Sequence, residues 1–260
     1  MIKVSLIAAS VREPLYNSFF ESLENEMVSY EVIFAGHKPP QREWPELTYI
    51  PTGFIKPAQC YEIARREATG DVLVWTADDA ESRGQILTKA YRYWEEQNDK
   101  KLILSLQTRE FYLDGGDGFC NMKQHAFIGG KPETPLMAPL AMISREYVDE
   151  LGGFDRRFLC GQYENLTVCQ AYADGGRVEV FGDRESYIEI DHIKKSIDCG
   201  ESSRKDEFFN RPFARGYKHD RRILEESVNI IGGVPRIKQF EPYEDEDLLT
   251  KSQSYKGEWE

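Results

Sequence analysis

Four apolar residues, Val72–Trp75, stand between Gly70 and a group of acids. A run this short is typical of a strand buried on both faces of a parallel sheet rather than of a helix. Asp78, Asp79 and Glu81 follow it, at the end of a strand where open α/β sheets bind their ligands. Carboxylates this close together repel one another, so the pattern favours a bound Mg²⁺ or Mn²⁺. A solvated turn that caps the next helix is the alternative.

Strands and helices alternate through the first part of the chain. Ile2–Ala9 and Tyr30–Ala35 have the apolar runs of strands, and an amphipathic helix that opens at Pro14 separates them. A strand, a helix and a strand in so few residues form a βαβ unit, which requires a parallel sheet. The same patterns predict a short strand at Leu47–Ile50, a helix from Pro57 to Gly70, a helix capped by Ser82 and a strand at Leu102–Leu106.

The pattern changes beyond Phe111, because residues 114–135 are rich in glycine and have no clear period. The acidic tail beyond Phe240 has few apolar residues and is predicted to be disordered. The whole chain predicts an α/β fold with a mostly parallel, Rossmann-like central sheet, flanked by helices, in a single domain. The elements predicted between loop and tail are a strand at Pro139–Ile143, a helix at Arg145–Leu151 capped by Ser144, a helix at Tyr163–Ala173, strands at Arg177–Phe181 and Tyr187–Ile190, a polar loop with Lys194, Lys195 and Arg204, and a helix near Arg221–Val228.

The composition limits the partners of this chain. A formal net charge of −12 over 260 residues argues against nucleic acid or an anionic membrane as the main partner. The five cysteines are scattered, without a CxxC pair, which fits free thiols in a reducing compartment better than disulfides or a zinc site. No segment has the length and hydrophobicity of a membrane span, and the first residues lack a signal-peptide pattern. We therefore expect a cytoplasmic protein without a transmembrane segment.

Two longer motifs resemble a known family. Ala68–Asp79 reads ATGDVLVWTADD and Ser144–Phe158 reads SREYVDELGGFDRRF, and a helix beginning YENL and a lone histidine, His192, follow in order. Together these pieces resemble the family-2 glycosyltransferases of GT-A fold. The resemblance implies a GT-A domain over residues 1–200, with a nucleotide-sugar half (1–110) and an acceptor half (111–200). Residues 201–260 would then be a polar, partly helical C-terminal extension.

The resemblance also implies a donor site at the carboxyl edge of the sheet. An Asp-x-Asp motif of the family holds a divalent cation, Mn²⁺ or Mg²⁺, on the diphosphate of a nucleotide sugar, with UDP- and GDP-sugars as first candidates. Ala77 replaces the first acid of the motif here, so Asp79 is the expected ligand and Glu81 its alternative. His192 matches a late histidine that completes the metal shell or touches the diphosphate. The other donor contacts implied are Asp78 near the ribose or the metal waters, the backbone of Ala9 and Ser10, Lys56 at the base or phosphate, and Lys194, Lys195 and Arg204 at the diphosphate. An ordinary solvated surface is the alternative for these basic residues.

The acceptor side requires a base. An inverting transferase needs a carboxylate that takes the proton of the acceptor hydroxyl while its oxygen attacks the anomeric carbon. The family has this acid in a run at a helix N-terminus, which corresponds to Gln162–Leu166 in this chain. Alignment on Leu166 brings Tyr163 to the base position, but Glu164 is the carboxylate of the run and is the expected base. An acid favoured there only by the helix dipole is the alternative.

The resemblance thus implies a glycosyltransferase, inverting and dependent on a divalent metal. It would move a sugar from a nucleotide-diphosphate donor to a hydroxyl acceptor, which is a glycan, a lipid-linked molecule or a small molecule. A catalytically degenerate GT-A domain that binds a glycan or a partner protein is one alternative, since Ala77 and the single acid of the YENL run depart from the family pattern. A sugar-phosphate nucleotidyltransferase is another, but its first loop should be glycine-rich and basic, whereas Ala8–Arg12 has one arginine and no glycine.

Overall fold

Strands and helices alternate through the part of the chain that the computed structural model describes, which is residues 2–52, 57–111, 115, 117–120, 136–155, 157–158, 161–199, 211–231 and 234–237. The strands are β1 (Val4–Ser10), β2 (Tyr30–Gly36), β3 (Leu47–Pro51), β4 (Val72–Trp75), β5 (Ala80–Arg83), β6 (Leu102–Leu106), β7 (Thr108–Phe111), β8 (Asp117–Cys120), β9 (Ala141–Ser144), β10 (Arg177–Phe181), β11 (Tyr187–Asp191), β12 (Val228–Ile231) and β13 (Val234–Ile237). The helices are α1 (Tyr16–Leu23), α2 (Pro57–Glu67), α3 (Ile86–Gln97), α4 (Arg145–Glu150), α5 (Tyr163–Ala173), α6 (His192–Cys199) and α7 (Arg211–Ser227), and a 3-10 turn at Glu13–Leu15 precedes α1.

Seven strands form a central sheet in the order β10-β6-β9-β4-β1-β2-β3. The pairs β1–β2, β1–β4, β2–β3 and β6–β10 are parallel, and β9 runs antiparallel to both of its neighbours. A second sheet has the order β5-β11-β7-β8. The prediction of an α/β fold with a mostly parallel central sheet, flanked by helices in one domain, is therefore confirmed.

The central strand β4 is apolar throughout because both of its faces are covered. Its four residues are between 0 and 1% exposed. Val72 and Val74 belong to one apolar cluster, and Leu73 and Trp75 belong to the cluster on the opposite face. Side chains alternate between the two faces of a strand, so a strand with an apolar cluster on each side needs an uninterrupted apolar run.

The strand order reverses direction at β1. This strand pairs with β2 on one side and with β4 on the other, both in parallel. Ser10 at its carboxyl end lies opposite Gly36 of β2, and Ile7 lies opposite Trp75 of β4. Connections that leave neighbouring strands in opposite directions open a crevice between them, and open α/β sheets bind ligands at this position. The segments after β1 and β4 therefore meet at the expected ligand edge.

The prediction that Ser82 caps a helix is wrong. Ser82 lies in β5, which pairs antiparallel with β11, and its backbone N–H donates to Ser22 Oγ at 2.9 Å. Helix α3 begins later, and the carboxylate of Glu26 accepts hydrogen bonds from the backbone N–H groups of Leu87 and Thr88 at 3.2 and 2.8 Å. A side chain distant in sequence thus satisfies the free N–H groups at the start of this helix.

Other local predictions hold. Ser144 caps α4, since its hydroxyl accepts a hydrogen bond from the backbone N–H of Tyr147 at 3.3 Å. Helix α5 has the predicted bounds, and the helix expected near Arg221–Val228 is the end of the longer α7. The stretch at residues 114–135, for which no regular element was predicted, contains strand β8 at Asp117–Cys120, whose pairing with β7 corrects that prediction. Residues 121–135 and the tail at 238–260 lie outside the described residues.

The C-terminal segment packs on the main fold. Helix α7 and strand β13 both contact α5, and β12 pairs with β13 in a hairpin. Helix α7 and the β12–β13 hairpin therefore lie beside α5. The predicted domain boundary at residue 200 stays a prediction. Within the described part of the chain, no helix combines the length and apolar character needed to cross a bilayer.

Candidate active site

Arg12 and the acids after β4 form a buried ionic group at the ligand edge. The carboxylate of Asp78 accepts hydrogen bonds from the backbone N–H groups of Val11 and Arg12 at 2.7 and 2.6 Å. The Arg12 guanidinium adds a third, from Nη1 to Asp78 Oδ1 at 2.8 Å. The Asp78 side chain is only 1% exposed, so its charge is balanced here rather than by water. Asp78 thus ties the loop after β1 to the end of β4.

Asp79 lies beside the same guanidinium at a longer distance, 3.7 Å from Arg12 Nη1 to its Oδ1. Two carboxylates thus face one guanidinium, and carboxylates this close together favour a cation nearby. A carboxylate is a suitable ligand for Mg²⁺ or Mn²⁺. No group of three or more His, Cys, Asp or Glu side chains that could hold a metal occurs among the described residues. The role of Asp79 as a metal ligand therefore stays a prediction.

His192 and Lys194 each contact an acidic side chain, and their roles at the metal or the diphosphate stay predictions. His192 Nε2 lies 2.9 Å from Glu110 Oε2, and Lys194 Nζ donates to Glu81 Oε1 at 2.9 Å. The segment is helix α6 instead of the predicted polar loop. The carboxylate of Asp191 starts this helix by accepting the backbone N–H groups of Ile193 and Lys194. Glu81, the alternative metal ligand, also pairs with Arg83 at 2.5 Å.

A cleft of about 430 Å³ opens at the ends of β1 and β2. Its lining combines the loop after β1, the segment after β2 and one residue of α6: Val11, Arg12, Glu13, Pro14, Lys38, Pro39, Gln41 and Asp198. The cleft adjoins the Arg12–Asp78–Asp79 group because Arg12 belongs to both. It therefore offers space for part of a ligand next to the two acids.

The two predicted backbone contacts, Ala9 and Ser10, lie at the base of this edge. Their side chains face inward, at 5 and 0% exposure, and the Ser10 hydroxyl donates to the carbonyl oxygen of Lys38 at 2.6 Å. A methyl group on Gly36 would stand 2.3 Å from the Ser10 carbonyl oxygen, so only glycine lets the two strand ends come this close. The contact of Ala9 and Ser10 with a nucleotide stays a prediction.

The side chains of three further predicted site residues lie outside the described part of the chain. Lys56 lies outside the described residues, and so does Arg204. Lys195 belongs to helix α6, but its side chain is outside the described part. Their roles at the donor stay predictions.

Glu164 lies in the first turn of α5. Burial raises the pKa of its carboxyl to about 7, from an ordinary value of 4.5, and the negative charge of Asp220 acts in the same direction. Hydrogen bonds from the backbone at Glu164 and Gln162 act in the opposite direction. Its Oε2 is shielded from solvent and accepts no hydrogen bond from the described residues. A carboxylate with a pKa near neutrality is a suitable general base at pH 7.

Tyr61 connects the two acidic sites. Burial raises the pKa of its hydroxyl, and the negative charges of Asp78 and Glu164 both add to this shift. Its ring packs against that of Tyr163, with centroids 4.8 Å apart. The Tyr61 hydroxyl also donates to the carbonyl oxygen of Thr76, two residues before Asp78, and Tyr163 directly precedes Glu164, so the expected base and the β4 acids lie in the same region.

The GGFD motif fixes the approach to α5. Gly153 has φ +77°, and a methyl group on it would stand 2.8 Å from Glu62 Oε2. That same oxygen accepts the backbone N–H of Phe154 at 2.9 Å. The Phe154 ring packs edge-on against both Trp75 and Tyr163. Asp155 stabilises the turn that follows, since its carboxylate accepts the backbone N–H and the guanidinium of Arg157. The motif thus joins the end of β4 to the residue preceding Glu164.

Sequence reasoning missed Arg12 and Tyr61. Arg12 stands two residues after β1, and its charge beside a strand end was the available signal. Tyr61 recurs at helical spacing with Ala58, Ala64 and Ala68, and this spacing is equally typical of a residue in the core. The sequence carries no signal for the contact between its ring and that of Tyr163.

Comparisons with known proteins give the same fold. No protein-family model matches the sequence, and no curated protein matches it. Among solved structures, S. aureus TarS matches with a TM-score of 0.53 and 13% identity, over 75% of this chain and 38% of that chain. TarS 1-349 in complex with UDP-GlcNAc matches with a TM-score of 0.55 and 14% identity, over 73% of this chain and 58% of that chain.

TarS 1-349 in complex with UDP matches with a TM-score of 0.54 and 11% identity, over 95% of this chain and 98% of that chain. This chain thus spans 38 and 58% of the first two chains and nearly all of the third. At these identities the likeness establishes the architecture, a mixed α/β domain with a central sheet flanked by helices.

Proposed function

We propose that this protein is a glycosyltransferase that uses a nucleotide-diphosphate sugar. The observation that carries the proposal is the Arg12–Asp78–Asp79 group at the point where the strand order reverses. Glu164 directly follows Tyr163, whose ring packs against Tyr61 beside the end of β4. This edge is where α/β folds bind nucleotides. The likeness to TarS, a glycosyltransferase crystallised with UDP-GlcNAc and with UDP, supports the same function.

The donor in this proposal is a UDP-sugar, with a GDP-sugar as the alternative. The nucleotide would occupy the cleft beside Arg12, in contact with the backbone of Ala9 and Ser10, and its diphosphate would approach Asp79. Asp79 would hold Mn²⁺ or Mg²⁺, and a cation there supplies charge neutralisation to the departing diphosphate. Asp78 keeps a structural role in this arrangement, because the loop after β1 and Arg12 already occupy its carboxylate.

Glu164 is the general base of the proposed reaction. The acceptor oxygen attacks the anomeric carbon while the bond from that carbon to the diphosphate oxygen breaks. Glu164 takes the proton of the acceptor hydroxyl, and the nucleoside diphosphate leaves with the bonding electron pair. One displacement of this kind inverts the anomeric carbon. The acceptor is a hydroxyl compound, with a glycan as first candidate.

The proposal includes a cytoplasmic location, and the two alternative functions differ from it in the ligands that they require. Cys60 and Cys169 are buried free thiols, which supports a reducing, cytoplasmic location. A degenerate GT-A domain that binds a glycan or a partner protein would need neither a nucleotide nor an ionisable Glu164. A sugar-phosphate nucleotidyltransferase would bind a nucleoside triphosphate in preference to a diphosphate.

A thermal-shift titration tests the proposed donor. UDP, GDP, CDP, ADP and dTDP are each added with and without Mn²⁺, and UTP is added as a further ligand. A nucleotide at about 100 times its Kd stabilises the folded state by ~2.7 kcal/mol, which is about 5–10 °C for a domain of this size. We expect this increase for UDP in the presence of Mn²⁺.

The same titration discriminates between the rivals. An increase with GDP alone would keep the transferase and change the donor. A larger increase with UTP than with UDP would favour the nucleotidyltransferase. No increase with any nucleotide would contradict the proposal and leave the degenerate binding domain.

A further inference from the structure

A residue far along the chain contacts the segment just before Glu164, the expected general base. Asp220 lies on α7 and is 0% exposed. Its Oδ2 accepts a hydrogen bond from the backbone N–H of Gly161 at 3.0 Å, and His219 Nδ1 lies 3.1 Å from its Oδ1. Gly161 stands three residues before Glu164. A buried carboxylate from the C-terminal segment therefore holds the chain just ahead of the expected base.

The held segment has an unfavourable backbone conformation. Gln162, directly after Gly161, has φ +67°, which a residue with a side chain rarely adopts. Its carbonyl oxygen accepts the N–H of Leu166 at 3.0 Å, and its Oε1 accepts the Asn165 side chain at 3.0 Å. A left-handed residue costs energy and persists when its surroundings fix it. The Asp220–Gly161 hydrogen bond contributes to this by holding the residue directly before Gln162.

Elements of the C-terminal segment pack against α5 near this turn. Helix α7 and strand β13 both contact α5, and Arg157 Nη2 reaches Ser227 Oγ at 3.3 Å at the end of α7. Leu224 of the same helix is 0% exposed and belongs to the apolar cluster that includes Leu166. Asp220 is thus held rigidly against the start of α5 rather than placed there by a loose tail.

We propose that Asp220 is a positioning residue for Glu164. By holding Gly161, it fixes the left-handed turn at Gln162 and so sets the direction in which Glu164 leaves the first turn of α5. The negative charge of Asp220 also opposes ionisation of Glu164. The catalytic site is then built from two distant parts of the chain, the start of α5 and helix α7. This inference rests on the proposed role of Glu164 as the base.

The charges that face Glu164 come from three elements. Tyr61 of α2 and Tyr163 of α5 both respond to the charge of Glu164, and Asp220 of α7 raises the pKa of Glu164. His219 pairs with Asp220 and would reduce its effect when protonated. Both tyrosines stay neutral near pH 7, because burial raises the pKa of their hydroxyls. Asp220 is therefore the facing group whose charge a substitution can remove at neutral pH.

Two substitutions separate the hydrogen bond from the charge. Asp220→Asn keeps an oxygen that can accept the N–H of Gly161 but removes the negative charge. Asp220→Ala removes both. The matched control is Glu226→Gln, which removes an acid of the same helix whose side chain is 65% exposed.

The first measurement is the pH titration of Glu164 by NMR in protein with ¹³C-labelled glutamate, with the Glu164 signal assigned by its loss in Glu164→Gln. Asp220→Asn is expected to move the midpoint to lower pH by about 0.3 unit or more, since a like charge has been removed. Glu226→Gln should leave the midpoint in place. An unchanged midpoint in Asp220→Asn would overturn the electrostatic part of the proposal. This readout needs no substrate, so it stands even if sugar transfer is not found.

The second measurement is the rate of UDP release from UDP-GlcNAc with water as acceptor, above pH 8. Asp220→Ala is expected to lower kcat at least about tenfold with the KM for UDP-GlcNAc within twofold, while Asp220→Asn stays within about threefold of the wild type. Circular dichroism checks that both variants are folded. Equal kcat values for Asp220→Ala and the wild type would overturn the positioning role. Loss of activity in Glu164→Gln, measured alongside, keeps a failure of the base assignment distinct from a failure of this proposal.

Discussion

Replacement of Glu164 by glutamine is expected to lower kcat for sugar transfer by about 10²- to 10⁴-fold. Glutamine has nearly the same shape, but it cannot take the proton of the acceptor hydroxyl. The KM for the donor should change little, because Glu164 is proposed to act on the acceptor side. UDP release from UDP-GlcNAc, with water in the place of the acceptor, measures this directly.

The pH dependence gives an independent check on the same residue. Burial raises the pKa of Glu164 to about 7, so the rate of the wild type should rise with pH through a midpoint near 7. The rising limb should be absent in Glu164→Gln. A suitable control is Glu146→Gln, which changes an acid in the first turn of α4 whose side chain is 73% exposed. A full rate in Glu164→Gln would exclude Glu164 as the base.

The raised pKa of Glu164 also makes the stability of the folded protein fall as the pH rises. A folded-state pKa above the ordinary value of 4.5 means that the folded protein holds this proton more firmly than the unfolded chain does. The stabilisation is present at low pH and is lost as the pH rises through about 7. At pH 8 we therefore expect Glu164→Gln to melt at a higher temperature than the wild type, as is common where a site is built for activity.

Replacement of Asp79 by asparagine is expected to abolish the part of the UDP thermal shift that depends on Mn²⁺. A neutral amide is a much weaker ligand for a hard cation than a carboxylate is. The rate of sugar transfer should fall by about 10²- to 10³-fold, as for the loss of one group that stabilises charge in a transition state. Without Mn²⁺, the variant and the wild type should respond alike to UDP.

The neighbouring acid provides the contrast for this experiment. Asp78 accepts hydrogen bonds from two backbone N–H groups and from Arg12, so Asp78→Asn should lower the melting temperature of the free protein. Asp79→Asn should lower that temperature less, since Asp79 pairs with Arg12 at the longer distance of 3.7 Å. If both variants kept the Mn²⁺-dependent shift, Asp79 would not be the metal ligand.

The strands of the central sheet were predictable because each is specified by a short run of neighbouring residues. A parallel strand buried on both faces must be a continuous apolar run, and Val72–Trp75 is such a run. The start of α5 was predictable for a similar reason, since the apolar spacing from Leu166 onward requires a helix. The alternation of such runs with amphipathic helices leaves few arrangements other than a mostly parallel sheet.

The site was less predictable because its contacts join residues far apart in sequence. Ser82 bonds to Glu26 over 56 positions, His192 to Glu110 over 82 and Lys194 to Glu81 over 113. A local pattern assigns a serine before a helix to capping and lysines in a polar stretch to a loop. It cannot register a distant partner that satisfies the same groups.

Arg12 and Asp220 illustrate the converse problem. Arg12 pairs with Asp78 across 66 positions, and Asp220 bonds to Gly161 across 59. In the sequence each is one charged residue among many, and the chain carries 45 acidic and 33 basic residues. Only the fold shows that Arg12 lies against the acids after β4 and that Asp220 is buried against the turn before Glu164.

The measurement that tests the central claim most directly is hydrogen–deuterium exchange with and without UDP-GlcNAc in the presence of Mn²⁺. Bound donor should slow exchange in peptides that cover residues 9–13, 35–38 and 76–81, which surround the cleft and the Arg12–Asp78–Asp79 group. Peptides of α3, on the far side of the fold from α2, should be unaffected. Unchanged exchange at these three segments, with a donor that raises the melting temperature, would contradict a nucleotide-sugar site at this edge of the sheet.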